Sequence, residues 1–158
     1  MINTNNFDQL ICGQPEQARE IFSTYLNADP VSFERISDFP GTTGIYFIYK
    51  NGDQAVPIYI GSAFAENRSL KIRCGQYLQR GSGGESLRGK IEILKEISDL
   101  QAIEYIKTNF TAKFIQLPSV EENKIKQIEQ IAIWAYSPRL NFILKCFNYD
   151  YTQLQKSS

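Results

Sequence analysis

The chain of 158 residues contains no histidine. That absence removes Ser-His-Asp and Cys-His catalysis, histidine-ligated zinc and histidine general bases together. Any proton chemistry must fall to Tyr, Lys, Asp or Glu. Cysteine is scarce: Cys12, Cys74 and Cys146 are odd in number and far apart. They form neither a disulfide framework nor a Cys-x-x-Cys zinc pattern, and they suit a reducing compartment. Net charge is lacking too, with 17 basic side chains against 17 acidic ones. No apolar run approaches the ~20 residues a bilayer span needs, and the first six residues lack the charged and apolar regions of an export signal. The expectation is a cytoplasmic protein that does not enter a membrane. A composition of 42% hydrophobic and 13% aromatic residues excludes a disordered tail or a coiled coil and provides for one domain with a core.

The overall neutrality conceals a local imbalance. Residues 1–38 carry two basic side chains against six acidic ones, whereas residues 68–90 carry six (Arg68, Lys71, Arg73, Arg80, Arg88 and Lys90) against Glu85 alone. A basic stretch in a neutral protein suits either a confined polyanion site or a solvated helix face.

Local patterns predict an α+β chain with a small, mostly antiparallel sheet flanked by helices. A first helix is expected over 15–27, with Pro15 in its first turn and Ala18, Ile21, Phe22 and Tyr25 on one face. Two runs of β-formers, 44–49 and 56–61, flank Asn51-Gly52, a strong hairpin signal. Helices are expected over 66–78, 86–99 and 122–136, and strands over 102–107 and 112–117. Between the first two of these helices lies Gly81-Ser82-Gly83-Gly84, which suits a phosphate-binding turn or a flexible link equally. Trp134 is expected in the core. The domain organisation read from these patterns is an N-terminal helical extension (1–40), a main domain (41–148) and a C-terminal tail (149–158).

The hairpin has a chemical consequence. With Asn51-Gly52 as a two-residue turn, Lys50 faces Asp53, and counting back pairs Tyr46 with Pro57. Tyr59 then shares a face with Tyr46 and is its diagonal neighbour. Pro57, lacking an N–H, places this strand at the sheet edge. Both tyrosines could be half-buried core residues or could share a ligand.

Gly44-Ile45-Tyr46 followed by Tyr59-Ile60-Gly61 resembles the paired tripeptides of the GIY-YIG nuclease family. Leu70-x-x-Arg73 with Tyr77 one turn later is similar to that family's arginine helix. Glu129 and Asn141, twelve positions apart with Pro138 between them, match its glutamate helix and closing asparagine. The resemblance implies a metal-dependent endonuclease that hydrolyses DNA phosphodiester bonds by one-step, in-line attack of water. Tyr46 would be the base, Tyr59 would orient water or phosphate, and Arg73 with Tyr77 would face the phosphate. Glu129 would be the protein ligand of a single Mg²⁺ or Mn²⁺, while Gly61 and Asn141 would support the site. Arg68, Lys71, Arg88 and Lys90 are the candidate contacts to DNA phosphates. The implied partner is double-stranded DNA, with a separate chain reading the target as one arrangement. Ser62 stands where many members of the family carry a lysine, and the stretch from Ser62 to Ser69 is longer than the compact family pattern. Ser62 and the near-zero net charge motivate one alternative, a catalytically silent nucleic-acid- or partner-binding module; a further alternative is the nuclease subunit of a larger defence or mobile-element system.

Overall fold

A computed structural model describes residues 4, 13–26, 29–65, 68–81 and 86–142 of the chain. The elements run α1 (Pro15–Tyr25), β1 (Val31–Ser32), a 3₁₀ segment (Phe33–Asp38), β2 (Gly44–Lys50), β3 (Tyr59–Ala63) and α2 (Leu70–Gly75), which continues into a 3₁₀ turn (Gln76–Leu78). They continue with α3 (Leu87–Lys95), α4 (Asp99–Asn109), β4 (Phe110–Gln116), α5 (Glu122–Tyr136) and a last 3₁₀ turn (Arg139–Phe142). All strand pairings are antiparallel, in the order β1-β4-β2-β3. The chain is α+β, as its local patterns predict. Among the described residues no helix is long and apolar enough to cross a membrane.

Central strand β2 is buried on both faces from Gly44 to Tyr49, which explains why it reads as a continuous apolar run rather than an alternating one. Its side chains divide by parity between two cores. Tyr46 and Ile48 join Tyr59, Phe114, Leu70, Tyr77, Leu87 and Ile106 beneath α2, α3 and α4. Ile45, Phe47 and Tyr49 join Ile60, Ile115, Ile125, Ile128 and Ala132 beneath α1 and α5. Residues 15–26, expected as part of an extension, close this second core. Phe22 is fully buried, with its ring 5.9 Å from Phe47 and 6.2 Å from Tyr136, and burial of such a side chain contributes about 1.5–3 kcal/mol. Arg19 locks α1 to α5 by donating from Nη1 to the Ala135 carbonyl at 2.8 Å, while its own carbonyl accepts from Tyr136 Oη at 3.3 Å.

Several expectations need correction. Residues 102–107 are helical, within α4. Ser98 and Gln101 form a reciprocal capping box at its start, and Ala102, Ile103 and Ile106 make a buried helical stripe that outweighs the apparent alternation. The helix expected over 86–99 stops at Lys95, where Glu96 turns into the left-handed region at φ 54°. Only Leu70–Leu78 of the 66–78 helix is helical among the described residues. The strand expected at 112–117 spans Phe110–Gln116. Trp134 is 44% exposed rather than core, since the buried positions of α5 are Ile125, Ile128, Ala132 and Ala135. Residues 82–84 of the glycine-rich link and the 149–158 tail lie outside the described residues.

The hairpin also departs in register. Lys50 faces Asp53 as expected, but Tyr46 pairs with Gly61, and Tyr59 with Ile48. Residues 54–57 bulge out of the ladder and shift the pairing by four positions. An even shift preserves the face, so Tyr46 and Tyr59 remain diagonal neighbours, with ring centroids 6.3 Å apart. β3 is an edge strand, as Pro57 suggested.

Candidate active site

A cavity of about 140 Å³ opens at the edge of β3, lined by Tyr46, Tyr59, Gly61, Ser62, Ala63, Phe64, Arg68, Arg73 and Glu129. These residues come from both faces of the sheet. Tyr46, Tyr59 and Arg73 belong to the side under α2, whereas Ser62 and Glu129 belong to the side under α5. The cleft wraps around the edge strand between them.

Gly61 makes this possible. A Cβ there would lie 2.2 Å from Tyr46 Oη and 2.3 Å from the adjoining ring carbon, so the Tyr46 ring crosses the position a side chain would fill. Gly44, two register positions away at the start of β2, is equally constrained: a Cβ would meet the Ile115 carbonyl oxygen at 2.1 Å. The glycines of the two tripeptides are therefore close-approach positions, one against the Tyr46 ring and one against the backbone of β4.

Three phenols converge beside Arg73. The Tyr46 and Tyr77 hydroxyls share a short hydrogen bond, and the Tyr77 ring stands edge-on to both Tyr46 and Tyr59, 6.2 and 6.3 Å away. Burial pushes Tyr46 well above the ordinary phenol value; negative charge on Tyr59 or Cys74 would push it the same way. The Tyr77 hydrogen bond and the Arg73 charge pull in the opposite direction. Tyr77 is also held far above that value, by burial first, and the shared bond raises it while lowering Tyr46. Either hydroxyl can donate in that bond, and Arg73 is the cation beside the cluster. Tyr59 is raised by burial, against the Tyr77 hydrogen bond and Arg73. Arg73, half-buried on α2, donates from Nη1 to Gln76 Oε1 at 3.0 Å and stands 6.0 Å from the Tyr77 ring centroid.

Glu129 faces them across the edge. Ile125, Ile128 and Ala132 anchor α5 to the sheet, which leaves Glu129 at the margin of the apolar stripe. Its carboxyl is raised above the usual carboxylate range by burial, and lowered in part by the Ser62 hydrogen bond and by Arg73 and Lys126. Ser62 Oγ donates to Glu129 Oε2. Among the described residues no group of three or more metal-ligating side chains exists, and Glu129 is the one carboxylate on the cleft. That donor set fits Mg²⁺ or Mn²⁺, which take one or two carboxylates and fill the remaining positions with water and phosphate oxygens. The cavity has room for several waters.

Asn141 fastens the site from outside. Its Oδ1 accepts from Ile60 N and its Nδ2 donates to Ile60 O, both at 2.7 Å, while Leu140 N donates to the Ile58 carbonyl at 2.9 Å. The amide replaces a neighbouring strand and ties the segment after α5 to β3, so Glu129 and Tyr59 are held in one frame.

The other expected cations are distributed unequally. Arg68 is exposed on the cleft. Lys71 Nζ instead donates to the Ser37 carbonyl at 2.6 Å, away from the lining. Arg88 is buried, 2.7 Å from Glu92 and bonded to the Gln79 carbonyl, so it supports α3. Lys90 is buried with Nζ 5.2 Å above the Tyr59 ring. Sequence reasoning missed Ser62, Ala63 and Phe64 as lining residues. For Ser62 the signal was available, since alternation from the apolar Ile60 places it on the face that receives α5. Comparison of the chain with protein-family models and with curated proteins finds no match.

Proposed function

We propose that this protein is a metal-dependent endonuclease of GIY-YIG type, hydrolysing DNA phosphodiester bonds by in-line attack of water. The observation that carries the reading is convergence: Tyr46, Tyr59, Arg73 and Glu129 line one small cleft. Two further residues of the same motif set, Tyr77 and Asn141, fix the Tyr46 hydroxyl and the β3 edge. Phosphodiester hydrolysis asks for a proton acceptor beside water, positive charge around the phosphate and a fixed geometry.

Arg73 offers a planar fork to two phosphate oxygens, and Arg68 at the rim adds charge to the entering strand. Tyr46 Oη holds the attacking water and takes its proton as the phenolate, while Tyr77 donates to that oxygen and Arg73 stabilises the anion. Tyr59 orients the water or the phosphate from the neighbouring strand. The water oxygen bonds to phosphorus as the bond to the leaving sugar oxygen breaks, and that oxygen is protonated from solvent. Glu129 is the residue that would hold Mg²⁺ or Mn²⁺, whose charge would offset the charge gathering on the phosphate oxygens.

The test is incubation of the purified protein with supercoiled plasmid and with linear and branched duplexes, in Mg²⁺ or Mn²⁺ and then in excess chelator. Nicking that chelation abolishes is the expected result. Intact DNA with every divalent ion and every substrate overturns the reading, and retained binding without cleavage would identify the silent module instead.

A further inference from the structure

Position 62 directs its side chain at the carboxylate that the proposed function makes the metal ligand. Gly61 faces the tyrosine side of β3; Ser62 therefore faces α5, opposite Ile45 of β2. It is 9% exposed, and its hydroxyl is spent on Glu129 Oε2. That is the one hydrogen bond to the carboxylate among the described residues, and no cation forms an ion pair with it there. Lys126, one turn before Glu129 on α5, turns to Glu122 at 2.5 Å and lies 4.6 Å above the Phe64 ring. Arg73 is occupied with Gln76. The orientation of Glu129 is thus in the hands of a single neutral donor.

We infer that Ser62 is a positioning residue that commits one carboxylate oxygen of Glu129 and leaves the other for one-oxygen ligation, so that the site selects a small octahedral ion over a larger one. The inference rests on the nuclease reading for the identity of Glu129 as a ligand. Mg²⁺ and Mn²⁺ suit single-oxygen ligation at near-octahedral geometry, whereas Ca²⁺ accepts a bidentate carboxylate in a looser, larger shell. A carboxylate oxygen already held by a hydroxyl is a poor half of a bidentate pair. A neutral donor also has an advantage over a lysine at this position, because an ammonium would form an ion pair with Glu129 and compete directly with the metal. Partners that orient a metal ligand alter affinity by roughly 10–100-fold when removed.

The experiment measures binding, without substrate. Mn²⁺ alone is titrated into the full chain at pH 8 and followed by the electron paramagnetic resonance of the free ion; Ca²⁺ is then added as competitor. The parent, Ser62→Ala, Ser62→Thr and Glu129→Gln are compared, with circular dichroism and thermal melts to verify that each is folded. Ser62→Ala is expected to bind Mn²⁺ about tenfold more weakly and to lose less affinity for Ca²⁺, so the preference narrows. Ser62→Thr, which keeps the hydroxyl, is expected to restore both. Unchanged Mn²⁺ binding by Ser62→Ala, or equal loss of the two ions, overturns the inference while the metal assignment stands. Parent binding that is absent, or that survives in Glu129→Gln, overturns both.

Discussion

The two faces of the sheet are separated by one residue of alternation, yet they meet the cleft with opposite chemistry. On the α2 side, Tyr46, Tyr59 and Tyr77 form a hydroxyl-bearing cluster in an otherwise apolar core, held near Arg73. On the α5 side, the core is aliphatic and aromatic, and a single carboxylate stands at its border. Burial moves both sets of acids upward, but with different results at neutral pH. A phenol raised from ~10 is neutral at pH 7, whereas a carboxyl raised by burial has lost solvation that its ionised form needs. One face thus withholds its charge, and on the other a charge comes at a cost in stability.

Removing the charge on the α5 side is the largest test of this contrast. Glu129→Gln should reduce cleavage roughly a thousandfold, the rate equivalent of several kcal/mol of lost charge stabilisation. The same substitution should raise the melting temperature near pH 7 by roughly 1–3 °C. The sign follows from the raised carboxyl: the native state favours the protonated form, so the stabilising advantage of a neutral side chain is present above the unfolded value and disappears as pH falls below ~4. A melt that drops at neutral pH would show that the carboxylate is a net structural asset.

Removing the oxygen on the other face should cost slightly less. Tyr46→Phe is expected to slow cleavage about 10²–10³-fold. In the parent the rate should rise close to tenfold per pH unit through neutrality, with no plateau below pH ~10, because the phenol is raised from its ordinary value. The variant should lose that rise. Equal slopes in the two would assign the proton transfer elsewhere and leave Tyr46 a positioning role.

Two smaller effects separate support from chemistry. Phe22→Ala, in the core under α1, should destabilise the fold by about 3–5 kcal/mol in chemical denaturation. Asn141→Ala removes both bonds to Ile60 and should cost about 1–3 kcal/mol; its activity should fall further than that of Phe22→Ala when both are assayed well below their melting points. Equal activity in the two would mean that the β3 edge does not depend on the amide.

What was legible in the sequence had a local physical cause. The helix from Pro15 was readable from its apolar stripe, and the shared face of Tyr46 and Tyr59 survived an erroneous register because the four-residue bulge is even in length. The register itself was not readable: an Asn-Gly turn specifies the pairing of Lys50 with Asp53 but not where the ladder resumes. Residues 102–107 read as a strand because β-branched and aromatic residues alternate there, while the Ser98 cap that decides the matter lies outside the run. The six residues Tyr46, Tyr59, Arg73, Tyr77, Glu129 and Asn141 could be singled out because their order and spacing resemble those of the GIY-YIG motifs. Which donor reaches which acceptor could not, since the Ser62–Glu129 and Asn141–Ile60 bonds join positions 67 and 81 residues apart.

Asn141 also bears on how the protein behaves in a crowded solution. A bare edge strand with outward N–H and C=O groups is a template on which another chain can add itself, and proteins commonly block such edges with charge, proline or a covering segment. Here the blocking group is an amide side chain that satisfies both the N–H and the C=O of Ile60, the second residue of β3. An incoming strand would have to break two good hydrogen bonds before forming its own. The opposite edge strand, Val31–Ser32, is only two residues long. The amide that frames the cleft is therefore also a guard against strand-to-strand association, and a population lacking it should form aggregates on warming before it loses its helices.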